Sequence, residues 1–189
     1  MLDFFQHIDN VLFKLINQSL AGEGLDSLMI AASNKFIWIP LYIYFIYLLI
    51  NKFGKKGWFY VLALILTVAS ADLISSKIFK PGFKRVRPCN ETYLNARTPD
   101  GKSSSYGFVS SHAANHAAIA AFLIVVLGAL AWRRMALIAW AVIICYSRIY
   151  LGKHYFFDVF CGALLGVLLA YFWLNVLKYF LKRQIEITN

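Results

Sequence analysis

The chain has 189 residues, of which 60% are hydrophobic and 17% aromatic, and its mean hydropathy is +0.62. This composition excludes an ordinary soluble enzyme and indicates one membrane-embedded domain that covers residues 1–189. The net charge of +10 would suit a nucleic-acid-binding protein, but no basic soluble domain is present to hold nucleic acid. The positive charge therefore indicates membrane topology and an anionic ligand.

The first 20 residues predict an amphipathic helix that lies at the membrane interface. Apolar residues recur every three to four positions from Phe4 to Leu20, and polar residues such as Asp9 and Asn17 fill much of the other side. The segment lacks the basic region that begins a cleaved signal peptide, so we predict that no such peptide is present.

Five apolar stretches follow, at residues 29–50, 58–79, 113–132, 135–150 and 155–180. Each approaches the length of ~20 residues that a helix needs to cross a bilayer core, and the fourth is the shortest. The predicted fold class is therefore all-α. We expect an integral membrane bundle of five or six helices, including the N-terminal amphipathic helix.

The distribution of basic residues predicts the orientation in the cytoplasmic (inner) membrane. With five spans, three basic clusters fall on one side, which the positive-inside rule makes cytoplasmic. These clusters follow spans one, three and five and comprise Lys52, Lys55, Lys56, Arg133, Arg134, Lys178, Lys182 and Arg183. The polar loop at residues 80–112 then faces the periplasm or the outside. With six basic and two acidic residues, a net charge of +4, this loop opposes the rule and indicates an anionic ligand.

The loop and a later segment carry side chains that suit a phosphate group. Phosphate is bound well by forked guanidinium donors and by ammonium groups, which Arg87, Arg148 and Lys80 provide. Ser110 and Ser111 stand where an alanine-rich helix is predicted to begin, so their hydroxyls and the free backbone N–H groups would form an anion site. The sequence therefore predicts that these five residues bind the substrate.

Three further side chains fit a covalent reaction at phosphorus. His154 and Asp158 are four residues apart on a predicted helix, which places them on one face. An aspartate that accepts one imidazole N–H fixes the tautomer and leaves the other nitrogen as a nucleophile. His112 would then protonate the leaving oxygen. The simpler alternative is that the charges of this segment only end two helices at the interface.

These residues form three motifs, which read Lys80-x6-Arg87-Pro88, Ser110-Ser111-His112 and Ser147-Arg148-x5-His154-x3-Asp158. Their order and spacing resemble the signature of the type 2 phosphatidic acid phosphatase superfamily. This superfamily includes membrane lipid phosphatases and vanadium haloperoxidases. One difference is that the second motif of the family usually reads proline-serine-glycine-histidine, whereas this chain has Val109-Ser110-Ser111-His112.

The resemblance implies a role for each motif residue. Lys80, Arg87, Ser110 and Arg148 would bind the phosphate, and the residue at position 111 would contribute its backbone N–H. His112 would be the acid, His154 the nucleophile that forms a phosphohistidine, and Asp158 its partner. A serine in place of glycine adds a side chain at Ser111, where the backbone meets the phosphate.

Several residues leave alternatives open. His112 and His116 are four residues apart, as in a zinc pair, but nearby cations would repel a metal ion, so we predict neither metal nor cofactor. Asp72 lies within a span and would either have a functional role or pair with Lys77 or Lys80. The remaining loop cations would bind a second phosphate or anionic headgroups, or would form a solvated face. They are Lys84, Arg85, Arg97 and Lys102.

The predicted function is that of a metal-independent membrane lipid phosphatase whose partners are the bilayer and a lipid phosphate. Resemblance to small bacterial members favours undecaprenyl diphosphate as the substrate, since the extra loop cations would suit a diphosphate. The alternatives are lipid A, phosphatidylglycerol phosphate and phosphatidate. A lipid-binding or transport protein is the non-enzymatic alternative, but gripping a headgroup requires cations rather than a nucleophile with an orienting carboxylate. The sequence does not indicate an oligomeric state.

Overall fold

The computed structural model describes residues 2–128 and 130–188, and in these ranges it consists of helices, turns and loops without a strand. The predicted all-α fold class is confirmed. Five helices have 15 or more residues, and with the N-terminal helix they make six. Two shorter helices complete the set. The helices are α1 Leu2–Lys14, α2 Glu23–Ser33, α3 Ile39–Phe53, α4 Gly57–Leu73, α5 Lys80–Phe83, α6 Ser111–Leu127, α7 Ala131–Tyr150 and α8 Phe156–Thr188.

The first apolar stretch, residues 29–50, does not form the single helix that its composition predicts. Helix α2 ends at Ser33 and α3 begins at Ile39. Between them, the side-chain oxygen of Asn34 accepts the backbone N–H of Phe36 at 3.0 Å, a local bond that competes with helix formation. Pro40 occupies the first turn of α3, the one place where a helix accepts proline without loss.

Helix α6 packs closely along α8 because glycines lie at the contact. A Cβ atom on Gly166 would lie 2.0 Å from the carbonyl oxygen of Ala114, and one on Gly162 would lie 2.5 Å from that of Ser110. Only a residue without a side chain fits at these distances, as at the small-residue contacts between membrane helices. The contact brings the starts of the two helices together, and the Ser110 N–H donates to the Asp158 carbonyl oxygen at 2.9 Å.

Helix α1 and the π-helical turn that follows it, Leu15–Ser19, direct part of their polar side into the protein. Asp9 and Asn17 are fully buried, whereas Phe4 and Val11 are exposed. Asn17 donates from Nδ2 to the carbonyl oxygen of Tyr150 at 2.6 Å. The amphipathic segment therefore docks through these polar groups as well as through the buried ring of Phe13. Its exposed apolar side chains stay outside, where a lipid interface would cover them.

Two helical stretches in the described part are long and apolar enough to cross a membrane, Ile39–Phe83 and Phe156–Lys182. The first contains the 3₁₀ turn Gly54–Lys56, so it comprises α3, α4 and α5. Large apolar side chains such as Ile43, Leu62 and Leu168 are exposed on these helices, as expected of a surface in contact with lipid. The count of five spans and the orientation stay predictions.

Candidate active site

A cavity of about 890 Å³ lies where α4, α5, α6 and the connection from α7 to α8 meet. Six of the eight site residues predicted from the sequence line it, namely Lys80, Arg87, Ser111, His112, Arg148 and His154. The other two, Ser110 and Asp158, are fully buried behind its wall. The apolar part of the remaining lining comes from α3, α4 and α6.

A tight turn between α7 and α8 presents His154 to the cavity. Gly152 has a φ of +73°, and a Cβ atom there would lie 2.7 Å from the carbonyl oxygen of Arg97, so the turn requires glycine. The Gly152 carbonyl oxygen accepts the Cys89 N–H at 3.0 Å, and the His154 N–H donates to the Arg148 carbonyl oxygen at 3.2 Å. The first of these bonds joins the end of the first motif to the third motif, and the second closes the turn within the third motif.

The contacts of the His154 ring define its tautomer. Arg87 Nη1 lies 3.1 Å from His154 Nε2, and since a guanidinium only donates, Nε2 must be the unprotonated nitrogen. The proton is then on Nδ1, which lies 3.5 Å from Asp158 Oδ2. Burial, together with the cations Arg87, Arg148 and Lys80, lowers the pKa of His154 well below its ordinary value of 6.5. The ring is therefore neutral near pH 7.

Asp158 is held by a partner that the sequence did not single out. Arg85 Nη1 donates to Asp158 Oδ1 at 2.7 Å, and the Tyr155 N–H donates to Asp158 Oδ2 at 3.0 Å. The same guanidinium reaches Asp9 of α1 through Nη2 at 2.6 Å. The sequence marked Arg85 only as a loop cation, because nothing in its spacing shows which carboxylates the fold brings to it.

Each of the three cations that the sequence assigns to phosphate binding has an anchor in the structure. Arg87 donates from Nε to the Ser105 carbonyl oxygen at 2.7 Å and from Nη2 to the Ser105 hydroxyl at 2.9 Å. Arg148 donates from Nη1 to the hydroxyl of Ser33 in α2. Lys80 donates from Nζ to Ser111 Oγ at 3.0 Å. Sequence reasoning missed Ser33 and Ser105, since a lone serine carries no signal for such a role.

Ser110 caps α6, as its position at the predicted helix start indicates, and its role in binding phosphate stays a prediction. Its hydroxyl does not line the cavity but accepts the Ala113 N–H at 3.5 Å, as an N-cap residue of α6. A hydroxyl at this position satisfies a helix N–H that has no intrahelical partner.

A sequence model of the PAP2 superfamily matches residues 56–182, which include every residue of the three motifs. The chain belongs to the PAP2 superfamily. The family predicted from the motifs is therefore confirmed, as is the function class of a lipid phosphatase.

Three proteins illustrate the range of PAP2 relatives that this chain resembles. It is 33% identical over 175 residues to a lipid A 4'-phosphatase of Bacteroides thetaiotaomicron, covering 88% of this chain and 75% of that protein. It is 30% identical over 188 residues to an undecaprenyl-diphosphatase of Sulfolobus acidocaldarius, covering 94% and 78%. Its fold matches a transmembrane PAP2-type phosphatidylglycerolphosphate phosphatase from Bacillus subtilis with a TM-score of 0.69, 25% identity and coverage of 95% and 87%.

The serine that replaces the PAP2 glycine in the second motif has a defined environment. Ser111 Oγ accepts Lys80 Nζ, and it also accepts the Ser75 hydroxyl at 2.8 Å. Ser75 lies in the π-helical turn Ile74–Phe79 between α4 and α5. The side chain of Ser111 therefore turns toward the first motif and helps to hold its lysine at the cavity.

His116 and Asp72 form hydrogen bonds with neighbouring groups of the PAP2 domain. His116 Nδ1 donates to the His112 carbonyl oxygen at 2.7 Å, and Nε2 accepts the Tyr42 hydroxyl at 2.9 Å. With both nitrogens engaged, His116 is not available as a zinc ligand, and the described residues contain no group of three or more potential metal ligands. Asp72 lines the cavity and accepts Asn115 Nδ2 at 3.3 Å rather than a lysine.

Proposed function

We propose that this PAP2 protein removes a phosphate monoester group from a lipid of the lipid A class through a phosphohistidine on His154. The observation that carries this proposal is the position of His154 Nε2. It is unprotonated and 3.1 Å from the guanidinium of Arg87, in the wall of a cavity that joins a cationic end to an apolar one. A nucleophile next to a phosphate-binding cation, open to an apolar cavity, suits a lipid phosphate.

The reaction takes place in two displacements. Arg87, Arg148 and Lys80 neutralise the phosphate oxygens, and His154 Nε2 attacks phosphorus. The P–N bond forms as the P–O bond to the lipid breaks. Burial and the charge of Arg148 lower the pKa of His112 to about 2, so the bound phosphate dianion must raise it before His112, as an imidazolium, gives a proton to the departing oxygen. Water, deprotonated by His112, then attacks the phosphohistidine, so that the P–N bond breaks and inorganic phosphate leaves. Asp158 keeps the proton on Nδ1 throughout and stabilises the charge that develops on the ring.

The apolar part of the cavity supports a lipid as the substrate. It is lined by Tyr42, Phe45 and Ile46 of α3 and by Leu64 and Val68 of α4. A binding site of this size and composition accepts a chain of apolar atoms with one charged end. A soluble phosphate ester would leave these surfaces without a contact.

The pairing of loop cations favours a monoester over undecaprenyl diphosphate. Arg85 is bound by Asp9 and Asp158, and Arg97 by Asp26 at 2.9 Å. Two of the four extra cations from which a second phosphate site was predicted are therefore already neutralised. The relative that acts on lipid A, at 33% identity, supports the same choice.

Undecaprenyl diphosphate is the second candidate, and a specific feature favours it. Lys35 and Lys102 line the same cavity as Lys80, so two more ammonium groups are available for a second phosphate. The relative named as an undecaprenyl-diphosphatase is 30% identical to this chain.

A lipid panel would separate the two candidates. We expect phosphate release from lipid A to exceed release from undecaprenyl diphosphate, phosphatidylglycerol phosphate and phosphatidate, all presented at equal surface density in mixed micelles. Lys102→Ala should leave turnover of lipid A close to wild type, with the exposed Lys84→Ala as the matched control. Preferred turnover of undecaprenyl diphosphate, lost in Lys102→Ala but not in Lys84→Ala, would instead establish the second candidate.

We also propose that the site faces the periplasm. Lys52, from the first basic cluster, donates from Nζ to the Leu127 carbonyl oxygen at 2.7 Å, at the opposite end of α6 from His112. In intact spheroplasts an impermeant thiol reagent should label Ser104→Cys, whereas Lys55→Cys should react only after permeabilisation. The wild type corrects for its own three cysteines. The reverse labelling pattern would place the site in the cytoplasm.

A further inference from the structure

Helix α1 reaches the candidate active site through the carboxylate of Asp9 and the side-chain amide of Gln6, whose Oε1 accepts Arg85 Nη2 at 2.9 Å. Of the two, only Asp9 carries a charge. The side chain of Asp9 is 1% exposed, in a helix whose other side carries exposed phenylalanines. Burying a charged group is costly unless it is paired and hydrogen-bonded, so its contacts indicate why it is there.

Each oxygen of Asp9 contacts a group beside the nucleophile. Oδ2 accepts Arg85 Nη2 at 2.6 Å, and Oδ1 accepts the N–H of Phe157 at 2.9 Å. Phe157 lies in the first turn of α8, where backbone N–H groups have no partner within the helix. Asp9 therefore caps the helix that carries Asp158, although the two aspartates are 149 positions apart in the sequence.

The guanidinium of Arg85 joins two carboxylates at once. Nη1 binds Asp158 Oδ1 at 2.7 Å while Nη2 binds Asp9, and the group lies 4.3 Å from the ring centre of Tyr155. Tyr155 directly follows His154, and its N–H donates to the second oxygen of Asp158. The planar fork of an arginine fixes the directions of both bonds in a way that a lysine cannot.

We propose that Asp9 is a positioning residue for the reaction, acting through Arg85 on Asp158 and thereby on His154. The inference rests on the proposed function, since it concerns how the same nucleophile is held. With Arg85 shared between two carboxylates, Asp158 keeps enough negative charge to hold the Nδ1 proton of His154. Without Asp9, the charge of Arg85 acts on Asp158 alone, so Asp158 holds the Nδ1 proton less strongly and His154 becomes less basic. The start of α8 also loses its cap, so the His154 ring is less precisely oriented.

The test is Asp9→Asn, which keeps the size of the side chain and an oxygen for the Phe157 N–H but removes the charge. We expect kcat to fall about 10- to 100-fold, since displacement of a reacting group by about 1 Å can cost about 100-fold. KM should stay close to that of wild type, because Arg87, Arg148 and Lys80 are untouched. Asp9→Glu, which restores the charge, should recover part of the loss.

Asp26→Asn is the matched control. Asp26 also pairs with a loop arginine, Arg97, and so joins α2 to the same loop twelve residues from Arg85. We expect this variant to keep the wild-type kcat. Lipid A labelled with ³²P at its phosphate monoester is mixed with the enzyme, and the reaction is quenched in alkali on the millisecond scale. The amplitude of phosphoenzyme formation counts the competent sites, and its rate constant reports the attack by His154.

The two quantities distinguish positioning from a purely structural role. Positioning predicts that Asp9→Asn lowers the rate constant at an unchanged amplitude. It also predicts that Arg85→Gln combined with Asp9→Asn is no slower than Arg85→Gln alone, because both act along one path. A lower amplitude at the wild-type rate, or additive losses in the double variant, would overturn the role of Asp9. A wild-type protein that forms no phosphoenzyme would instead contradict the proposed function.

Discussion

Replacing His154 with alanine is expected to abolish turnover, by at least about 10⁴-fold, because removal of a covalent nucleophile leaves only binding and electrostatic stabilisation. No other described side chain of the cavity combines an unprotonated nitrogen with contact to a phosphate-binding guanidinium in the way that His154 does. Wild type should trap an acid-labile, alkali-stable radiolabel from ³²P-labelled substrate, and the variant should trap none.

The same experiment needs a control for folding, since His154 is 2% exposed. Size-exclusion elution and thermal unfolding in detergent should match wild type for His154→Gln, which is similar in size and keeps a polar group facing Arg87. Turnover by either variant at a level comparable with wild type would contradict the assignment of the nucleophile.

The motif residues could be predicted from the sequence because, within each motif, they lie only a few positions apart along the chain. Asp158 follows His154 by four residues. The structure places His154 in the turn before α8 and not on the predicted helix, but Asp158, in the first turn of α8, still lies beside it. Lys80 and Arg87 lie on one short segment before a proline. That the three motifs form one site was predicted from the resemblance to the family. The cavity in the structure brings together the residues of all three motifs that chemistry had assigned to a phosphate.

The supporting contacts could not be predicted, since they join segments that tertiary packing alone makes neighbours. Asp9 and Arg85 are 76 positions apart, and Arg148 and Ser33 are 115 apart. Hydrophobic periodicity shows which side of a helix is apolar, but it does not show that Asp9 would face inward and be paired there. Such contacts depend on the angle at which α1 docks, which no local pattern encodes.

The prediction of one continuous helix over residues 29–50 was wrong for a different reason. Residues 29–50 are apolar enough for a span, and a hydropathy criterion averages over the polar Asn34. The local hydrogen bond of that side chain and the proline at position 40 decide the boundary instead. The break also places Ser33, the last residue of α2, where its hydroxyl meets Arg148. A deviation from the expected helix thus contributes to the site.

Removing His112 should damage the reaction in proportion to the basicity of the leaving group. Phosphatidate leaves as a poor, alkoxide-like oxygen that needs a proton, whereas para-nitrophenolate departs readily without one. We expect His112→Ala to lose about 10²- to 10⁴-fold on phosphatidate, the range of general acid catalysis, and less than about tenfold on para-nitrophenyl phosphate. His154→Ala should lose both activities. Single-turnover rates for both substrates provide the comparison, and equal losses on the two substrates in His112→Ala would make the residue a binding group instead of the acid.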